Sequence, residues 1–478
     1  MFPVASILAL YVAAVSAAPG QPTDKAFDYI VIGGGTAGVA LSTRLSRGLQ
    51  NATVLVIEAG PSGLGDERIE IPGRRGGIKW PRLGRLRTSI ADGKSLSKNF
   101  TSANTQYYTG SEGVSNARPI KALINRLIPK HQAPLFPVMN SLGIETNLES
   151  LNGNVLGVLY SPNSIEPTHY NRSYSANSYL PLASPNHFVL TDSKVAKVNL
   201  KTTYHGSQRT TGVSLVNRTV LTTRREVIVS GGGLLSPSIL ENSGISRADI
   251  LSATGINQII NLPGVGKNLH HHIRIQSSYE LKSNYTRYDR LKYDTVYAAK
   301  QLQLWRQSKT SIYGYSRKIL FSDRYTGVKG YPASGSPGYS KDYFTLIAAI
   351  IHPLSRGHIH VNPADPLGPP LIDPNYLSNE YDLQAAIQAI KKCRQVALTE
   401  PLRSTTTLSI YHPVGSYAML PKEDSGVVNP SLKVYGAENL RVVDASIMPV
   451  LISAHIQTAI YGIAERAADI IIEAAKKL

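Results

Sequence analysis

The chain has almost nothing to hold it together covalently. Cys393 is the one cysteine among 478 residues, so no intrachain disulfide can form. A chain this long needs none, because it can bury one large core or two domains. Cys393 follows Lys391-Lys392 in a helical stretch and reads as a structural thiol. Beyond the N-terminus no apolar run is long enough to span a bilayer. Acids are scarce: 32 Asp and Glu against 50 Lys and Arg give a net charge of +18 and a pI near 9.7. No long Lys/Arg tract and no nucleic-acid motif accompanies that charge, so it reads as solvated surface and predicts no nucleic-acid partner. One local concentration stands out: Arg74, Arg75, Lys79, Arg82, Arg85 and Arg87. No G-x-S-x-G surrounds Ser238 or Ser243, so a hydrolase triad has no support. Internal repeats and low-complexity blocks are also missing.

What is present begins at Tyr29. Tyr29 to Ile32 is a short apolar run, as for a buried parallel strand, and Gly33-x-Gly35-x-x-Gly38 follows at once. Val39 to Leu49 reads as a helix, and a second apolar run, Val54 to Ile57, ends in Glu58. Together these form a βαβ dinucleotide fingerprint. Gly33 allows the tight turn, Gly35 lets backbone approach a pyrophosphate, and Gly38 lets helix pack on strand. The helix N-terminus stabilises phosphates. Glu58, twenty residues past Gly38, is placed to accept hydrogen bonds from ribose hydroxyls.

At the N-terminus, Val4 to Val15 is an apolar h-region and Val15-Ser16-Ala17 fits a cleavage site, although no basic n-region precedes them. Sequons at Asn51, Asn99, Asn171, Asn217 and Asn284 agree with a secreted, N-glycosylated protein. Ala117 to Leu142 is expected to be helical, interrupted by Pro129, Pro134 and Pro137. Phe188 to Asn199 and Gly212 to Val229 alternate like strands. Glu226 to Ser230 feeds a second glycine turn, Gly231-Gly232-Gly233, with a short helix from Leu234 to Asn242. Leu262 to Gly266 is a turn, and His270 to Leu281 starts a strand leaving the first domain. Asp382 to Leu398 is an amphipathic helix. Leu440 to Val443 is a strand ending in Asp444-Ala445-Ser446, and Ser453 caps a helix from Ala454 to about Ala475. The two ends of the chain thus read as pieces of one nucleotide-binding domain, with a second domain inserted between them.

These blocks resemble the glucose–methanol–choline (GMC) flavin oxidoreductases, especially secreted fungal alcohol-oxidase-like and dehydrogenase-like members. The similarity runs from Phe27 to Ile471. It rests on Phe27 to Gly60, Gly231 to Ile245, Leu262 to Leu269, Ser355-Arg356-Gly357 through Asp373-Pro374, Tyr411-His412-Pro413-Val414-Gly415-Ser416, and Val443-Asp444-Ala445-Ser446 through His455-Ile456-Gln457-Thr458. The resemblance implies an α/β fold, α+β overall: a Rossmann-like FAD-binding domain with an inserted substrate-binding domain on an antiparallel sheet. Its divisions are a signal peptide over 1–17, an FAD-binding N-terminal region over 24–281 with part of the substrate cap at about 95–185, a substrate-binding domain over 282–410, and a C-terminal return over 411–478. It implies bound FAD and oxidation of a small-molecule alcohol to a carbonyl, with oxygen or another acceptor taking the electrons. By position, His412 matches the catalytic base and His455 the residue that orients the substrate oxygen. Imidazole titrates near neutrality, which suits the first role. The cofactor-binding set implied is Gly33, Gly35, Thr36, Ala37, Gly38, Glu58, Val195, Gly232, Asp444, Ala445, His455 and Ile456, with Asp444-Ala445 near the pyrophosphate and ribityl chain. His270-His271-His272 carries metal-ligand residue types but occupies a turn where the family ends Asp-His, so no metal is expected.

The chain departs from the family in two places. The Gly-Gly-Ser-Ser-type loop whose backbone approaches the flavin ring is missing, and Arg74 to Ile90 stands there instead. A diverged segment and a misassembled exon both read this way. Thr399 to Ser409 also leads almost directly into the His412 block, where the family has another helix-forming stretch. Alternatives to alcohol oxidation are a non-redox cyclase or dehydratase on the same fold, and an inactive member. The middle domain's tyrosines, among them Tyr285, Tyr288, Tyr293, Tyr297, Tyr313 and Tyr315, suit an aromatic or glycoside-like alcohol and a plain Tyr-rich surface equally.

Overall fold

A computed structural model describes residues 25–74, 95–96, 119–123, 134–147, 156–159, 163–280, 290–314, 321–322, 343–401, 413–414, 419–449 and 456–476. The signal-peptide segment, Arg75 to Arg87, the sequons at Asn99 and Asn284, most of 283–341, Leu402 to Ser409, Ser453, His412 and His455 lie outside the described residues.

Strand β1 (Ala26–Ile32), helix α1 (Thr36–Gly48) and strand β2 (Val54–Ile57) form the expected βαβ unit. β1 and β2 pair in parallel, Tyr29 opposite Val54 through Ile32 opposite Ile57. Every residue of β2 is buried, as expected for a parallel strand covered on both faces. Further along, the same sheet takes β3 (His187–Leu190), β4 (Val195–Thr202), β5 (Gln208–Leu215) and β6 (Val220–Val229), and helix α2 (Ser236–Asn242) follows. Phe188 to Asn199 and Gly212 to Val229 therefore hold two strands each. Gly212 lies inside β5 at φ +147°, where a Cβ would meet the Leu221 carbonyl oxygen at 2.0 Å.

The middle of the chain supplies β7 (His270–His271), β8 (Ile273–Glu280), helix α3 (Thr295–Ser308), β9 (Phe321–Ser322), β10 (Tyr343–Ile350), β11 (His358–His360), β12 (Leu371–Asp373) and helix α4 (Glu380–Leu398). β8, β10 and β9 make an antiparallel sheet in that order, and α4 packs against β8 and β10. Cys393 is buried in that contact with Val138, Leu346, Val396 and Ala397, which agrees with a structural thiol, and burial pushes its pKa up. Asp382 caps the join. Burial pushes its carboxyl up, but the Ser355 hydroxyl and the Leu354 and Ser355 amides hold it below the ordinary carboxylate value.

The expected helix over Ala117 to Leu142 is corrected. Lys121–Ala122 is a strand, Leu123 bridges to Asn163, and only Leu135–Ser141 is helical among the described residues. Ile120, Ala122 and Leu123 are buried, so tertiary pairing overrides local helix propensity. Pro134 stands as the N-cap of the remaining turn and Pro137 in its first turn, where neither interrupts a hydrogen bond.

The last elements are β13 (Pro413–Val414), β14 (Leu440–Val442) and helix α5 (Ile456–Ala475). β14 returns to the first sheet and pairs in parallel with the end of β6, so the order is β3-β2-β1-β6-β5-β4 with β14 also on β6. α5 lies on α1. Arg44 reaches Glu465 at 2.9 Å and Asp469 at 2.8 Å, and a Cβ on Gly48 would stand 2.3 Å from Ile472 Cδ1. One apolar core joins β1, β2, β6, α1, β14 and α5. At its edge Arg441 of β14, 2% exposed, binds Glu226 of β6 through Nε–Oε2 at 2.6 Å and Nη2–Oε1 at 3.0 Å, and also donates to the Ser431 carbonyl.

Arg441→Met removes one partner of that buried pair and leaves Glu226 uncompensated. It is expected to lower unfolding free energy by about 3 kcal/mol. A urea-denaturation midpoint checks this, and a loss below about 1 kcal/mol would show that the pair does not hold β14 to the sheet.

Candidate functional site

Three turns at the carboxyl ends of β1, β6 and β14 meet at one place. In the first, Gly33 N donates to the Ile57 carbonyl at 2.8 Å. Gly33 sits at φ +111°, and a Cβ there would stand 2.4 Å from the Ser230 carbonyl oxygen of the second turn. Gly38 lies closer still to its neighbour, since its Cβ would fall 1.9 Å from the Gly33 carbonyl oxygen. Gly35 is the opposite case. A Cβ there would meet nothing within 4 Å, so the turn opens outward. Gly35 is also the N-cap of α1, with no side-chain cap and no acid in the first turn. The amides of the Thr36-Ala37-Gly38 turn therefore face this opening with the positive end of the helix dipole.

Glu58 closes the first turn from the side. It is 3% exposed, and its carboxylate accepts from Gly34 N (Oε2, 2.9 Å) and Gly60 N (Oε1, 2.9 Å). Ser193 N donates to the Glu58 carbonyl at 2.9 Å, which brings the start of β4 alongside. Val195 there is buried in the main apolar core.

The second and third turns are fastened by Asp444. Its Oδ2 accepts from Gly232 N at 2.8 Å and Ser236 Oγ at 2.7 Å, and its Oδ1 from Ser446 N at 2.8 Å and the Ser446 hydroxyl. Burial pushes its pKa up, against the pull of those donors. Ser230 Oγ adds a bond to the Val443 carbonyl at 3.0 Å. With four protein donors on the carboxylate, Asp444 acts through the backbone it fixes: Gly232, at φ +77° with open space where a Cβ would be, and Ala445. No sequence pattern singles out the serines of these turns, Ser230, Ser236 and Ser446, although each stands close to a recognisable glycine or acid.

A short strand pair brings His270 and His271 against Pro413 and Val414. β7 runs antiparallel to β13, His270 opposite Val414 and His271 opposite Pro413. The His triplet therefore lies beside the residue that follows His412. β13 packs on the Ala445–Ile447 turn, and Met419 N donates to the Ile447 carbonyl at 2.9 Å. The backbone of Ile456, which follows His455, opens α5. His270 bonds Asn268 Oδ1 through Nε2 at 2.9 Å, and burial, with the charge of Arg356, holds its pKa down to about 4. Burial and then Arg274 bring His271 to about 4 as well, and its Nδ1 meets the Tyr376 hydroxyl. Among the described residues no group of three or more His, Cys, Asp or Glu could hold a metal ion.

The open Gly35 cradle, the uncapped helix turn and the buried glutamate fit the adenosine and pyrophosphate half of a dinucleotide. The residues expected at a flavin ring, His412, His455 and the segment after Arg74, lie outside the described residues.

Comparison with known proteins agrees with that reading. Two family models described as GMC oxidoreductase match residues 143–274 and 353–464, together just over half of the chain. The GMC oxidoreductase family protein Mala s 12 of Malassezia sympodialis is 29% identical over 585 aligned positions, covering 94% of this chain and 93% of the relative. Pyranose dehydrogenase 3 of Leucoagaricus meleagris is 26% identical over 571, covering 94% and 93%. Both spans exceed the 478 residues present, so the relatives carry stretches that this chain does not. An FAD-dependent oxidoreductase from Chaetomium thermophilum superposes with a TM-score of 0.78 at 21% identity, covering 94% of this chain and 100% of that one.

Two paired substitutions test the cradle. Gly38→Ala is expected to cost about 3 kcal/mol or more, because its Cβ overlaps a carbonyl oxygen. Gly35→Ala is expected to melt like the parent and to bind added FAD at least about tenfold more weakly, since its methyl fills the space a pyrophosphate needs. Equal FAD affinity in Gly35→Ala and parent would remove the cradle reading. Separately, Asp444→Asn places an amide against fixed N–H donors, with an expected loss of about 2 kcal/mol in chemical denaturation. An unchanged midpoint would mean that the clamp is not needed.

Proposed function

Because the chain belongs to the GMC oxidoreductase family, we propose that it oxidises a small-molecule alcohol to the carbonyl. FAD is its cofactor, and when bound it supplies the two-electron acceptor for a hydride leaving the carbinol carbon. The observation that carries this reading is the convergence of the Gly33–Gly38 turn, Glu58 and the Asp444-fastened turn on one opening, with the His271–Pro413 strand pair packed against it.

The amides of the Gly35–Gly38 turn hold the pyrophosphate, and Glu58 holds the ribose. Gly232, Ala445 and Ile456 line the continuation of the cofactor, and Val195 backs the adenine end. His412 takes the proton from the substrate hydroxyl, and His455 orients the substrate oxygen. Pairing of β13 with β7 fixes the backbone of Pro413, the residue after His412. Pyranose dehydrogenase 3 among the relatives supports an alcohol donor. A secretory route and a role in secondary metabolism belong to the same proposal. Asn51 and Asn217, both exposed sequon positions, support glycosylation.

A second reading, a non-redox or inactive member of the fold, is favoured by the stretches the relatives carry and this chain lacks. The visible spectrum of the purified protein separates the two. The expected result is flavin bands that bleach anaerobically on addition of an aryl or sugar alcohol, and a His412→Ala variant that keeps its bands but bleaches at least about a hundredfold more slowly. A protein that stays colourless with added FAD would sink the redox reading, and product formed without bleaching would favour the second.

A further inference from the structure

Helix α4 has a wide apolar arc, and only one flank of it is covered. The inner face, Ala386, Cys393, Val396 and Ala397, is buried on the middle sheet. On the outer side Leu383, Ile387, Ile390 and Leu398 are 38%, 37%, 39% and 58% exposed. At about 100° per residue these four positions fall on one side of the helix. Leu354 extends the surface at its N-terminal end. It is half exposed, and its amide donates to Asp382 Oδ1 at 2.8 Å, one residue before Leu383.

The cations on this face lie in its C-terminal half, and Glu380, exposed one turn before Leu383, puts one acid at its N-terminal end. Lys391 stands one turn after Ile387, and Arg394 one turn after Ile390 and one before Leu398, so both cations share the stripe. Lys391, Lys392 and Arg394 are exposed, and no acid occurs from Leu383 to Leu398. Single exposed aliphatic residues need no explanation, but a helix-long stripe does.

The charge selects the occupant. A second copy seated on this face would bring Lys391 and Arg394 of both molecules together, with +18 on each chain. An anionic bilayer meets both demands at once. Leucines and isoleucines enter the headgroup–acyl boundary, while the cations extend along the helix to lipid phosphates. We propose that the outer face of α4 is a docking surface for an anionic lipid bilayer. The helix lies on the surface and does not cross it, and among the described residues no helix is long and apolar enough to span. This face is separate from the turns that form the cofactor cradle, so the proposal stands independently of the substrate.

The test is co-sedimentation of the full chain with vesicles of phosphatidylcholine alone and of phosphatidylcholine mixed with phosphatidylserine. Binding is expected to the mixed vesicles only and to weaken as salt rises. Ile387→Ser/Ile390→Ser and Lys391→Glu/Arg394→Glu are each expected to weaken it about tenfold or more. Unchanged circular dichroism and melting temperature establish that both variants fold. No binding to mixed vesicles overturns the proposal, as does binding that survives both variants. A wild-type dimer that the Ile387→Ser/Ile390→Ser variant loses, without vesicle binding, overturns it in favour of a second copy.

Discussion

Everything at the candidate site depends on how closely three backbone turns can approach one another. Gly33 and Gly38 permit the contact, because any side chain at either would collide with a carbonyl oxygen. Asp444 maintains it. One buried carboxylate collects donors from Gly232, Ser236 and Ser446, so the turn after β6 and the turn after β14 share a single acceptor. A buried carboxylate with fewer partners would cost several kcal/mol. The four donors make the arrangement tolerable and also give it one geometry, since each donor's direction is set by its own turn. The open side of the cradle, at Gly35 and Gly232, is what remains when those turns are fixed.

The same device recurs at other joins between distant parts of the chain. Glu241 of α2 is fully buried and takes His360 Nδ1 at 2.6 Å and Val361 N at 2.7 Å from the β11 segment. Asp382 takes the Leu354 and Ser355 amides, and Glu67 takes Arg306 of α3 at 2.9 and 2.7 Å. The exposed Glu67 pair contributes little. The buried ones matter because removing either partner strands an unpaired polar group. Polar clamps with long sequence separation thus do what a disulfide cannot do in a chain with one cysteine. They fix which segment docks on which, while apolar area supplies most of the stability.

How far the fold could be read follows from how local each signal is. The βαβ unit is legible because its glycines, helix period and terminal acid lie within one run of sequence, and the structure sets them as that run implies. α4 and the return of β14 are legible for the same reason. Lys121–Leu123 is not, since its conformation is decided by Asn163, forty residues away, and by burial of Ile120 and Ala122. The pairing of His271 with Pro413 is equally hidden, because a two-residue strand has no period to detect. Family likeness leads to the expectation of Asp444 near the cofactor. That its carboxylate faces protein donors instead depends on Ser236 and Ser446, and only the assembled turns bring those hydroxyls to it.

Burial also alters what the composition says about the surface. Among the described residues the buried acids are Glu58, Glu241, Asp382 and Asp444, and the buried cations beyond histidine are Arg172 and Arg441. Acids are the better partners for backbone amides, which only donate, so turns that must satisfy several N–H groups recruit Asp and Glu. A chain already short of acids therefore withdraws some of them into its turns, and the surface is left more basic than +18 on 478 residues implies. The excess cannot serve the fold, where scattered exposed cations repel one another. Lys391 and Arg394 of α4 belong to that excess and stand among exposed aliphatic side chains.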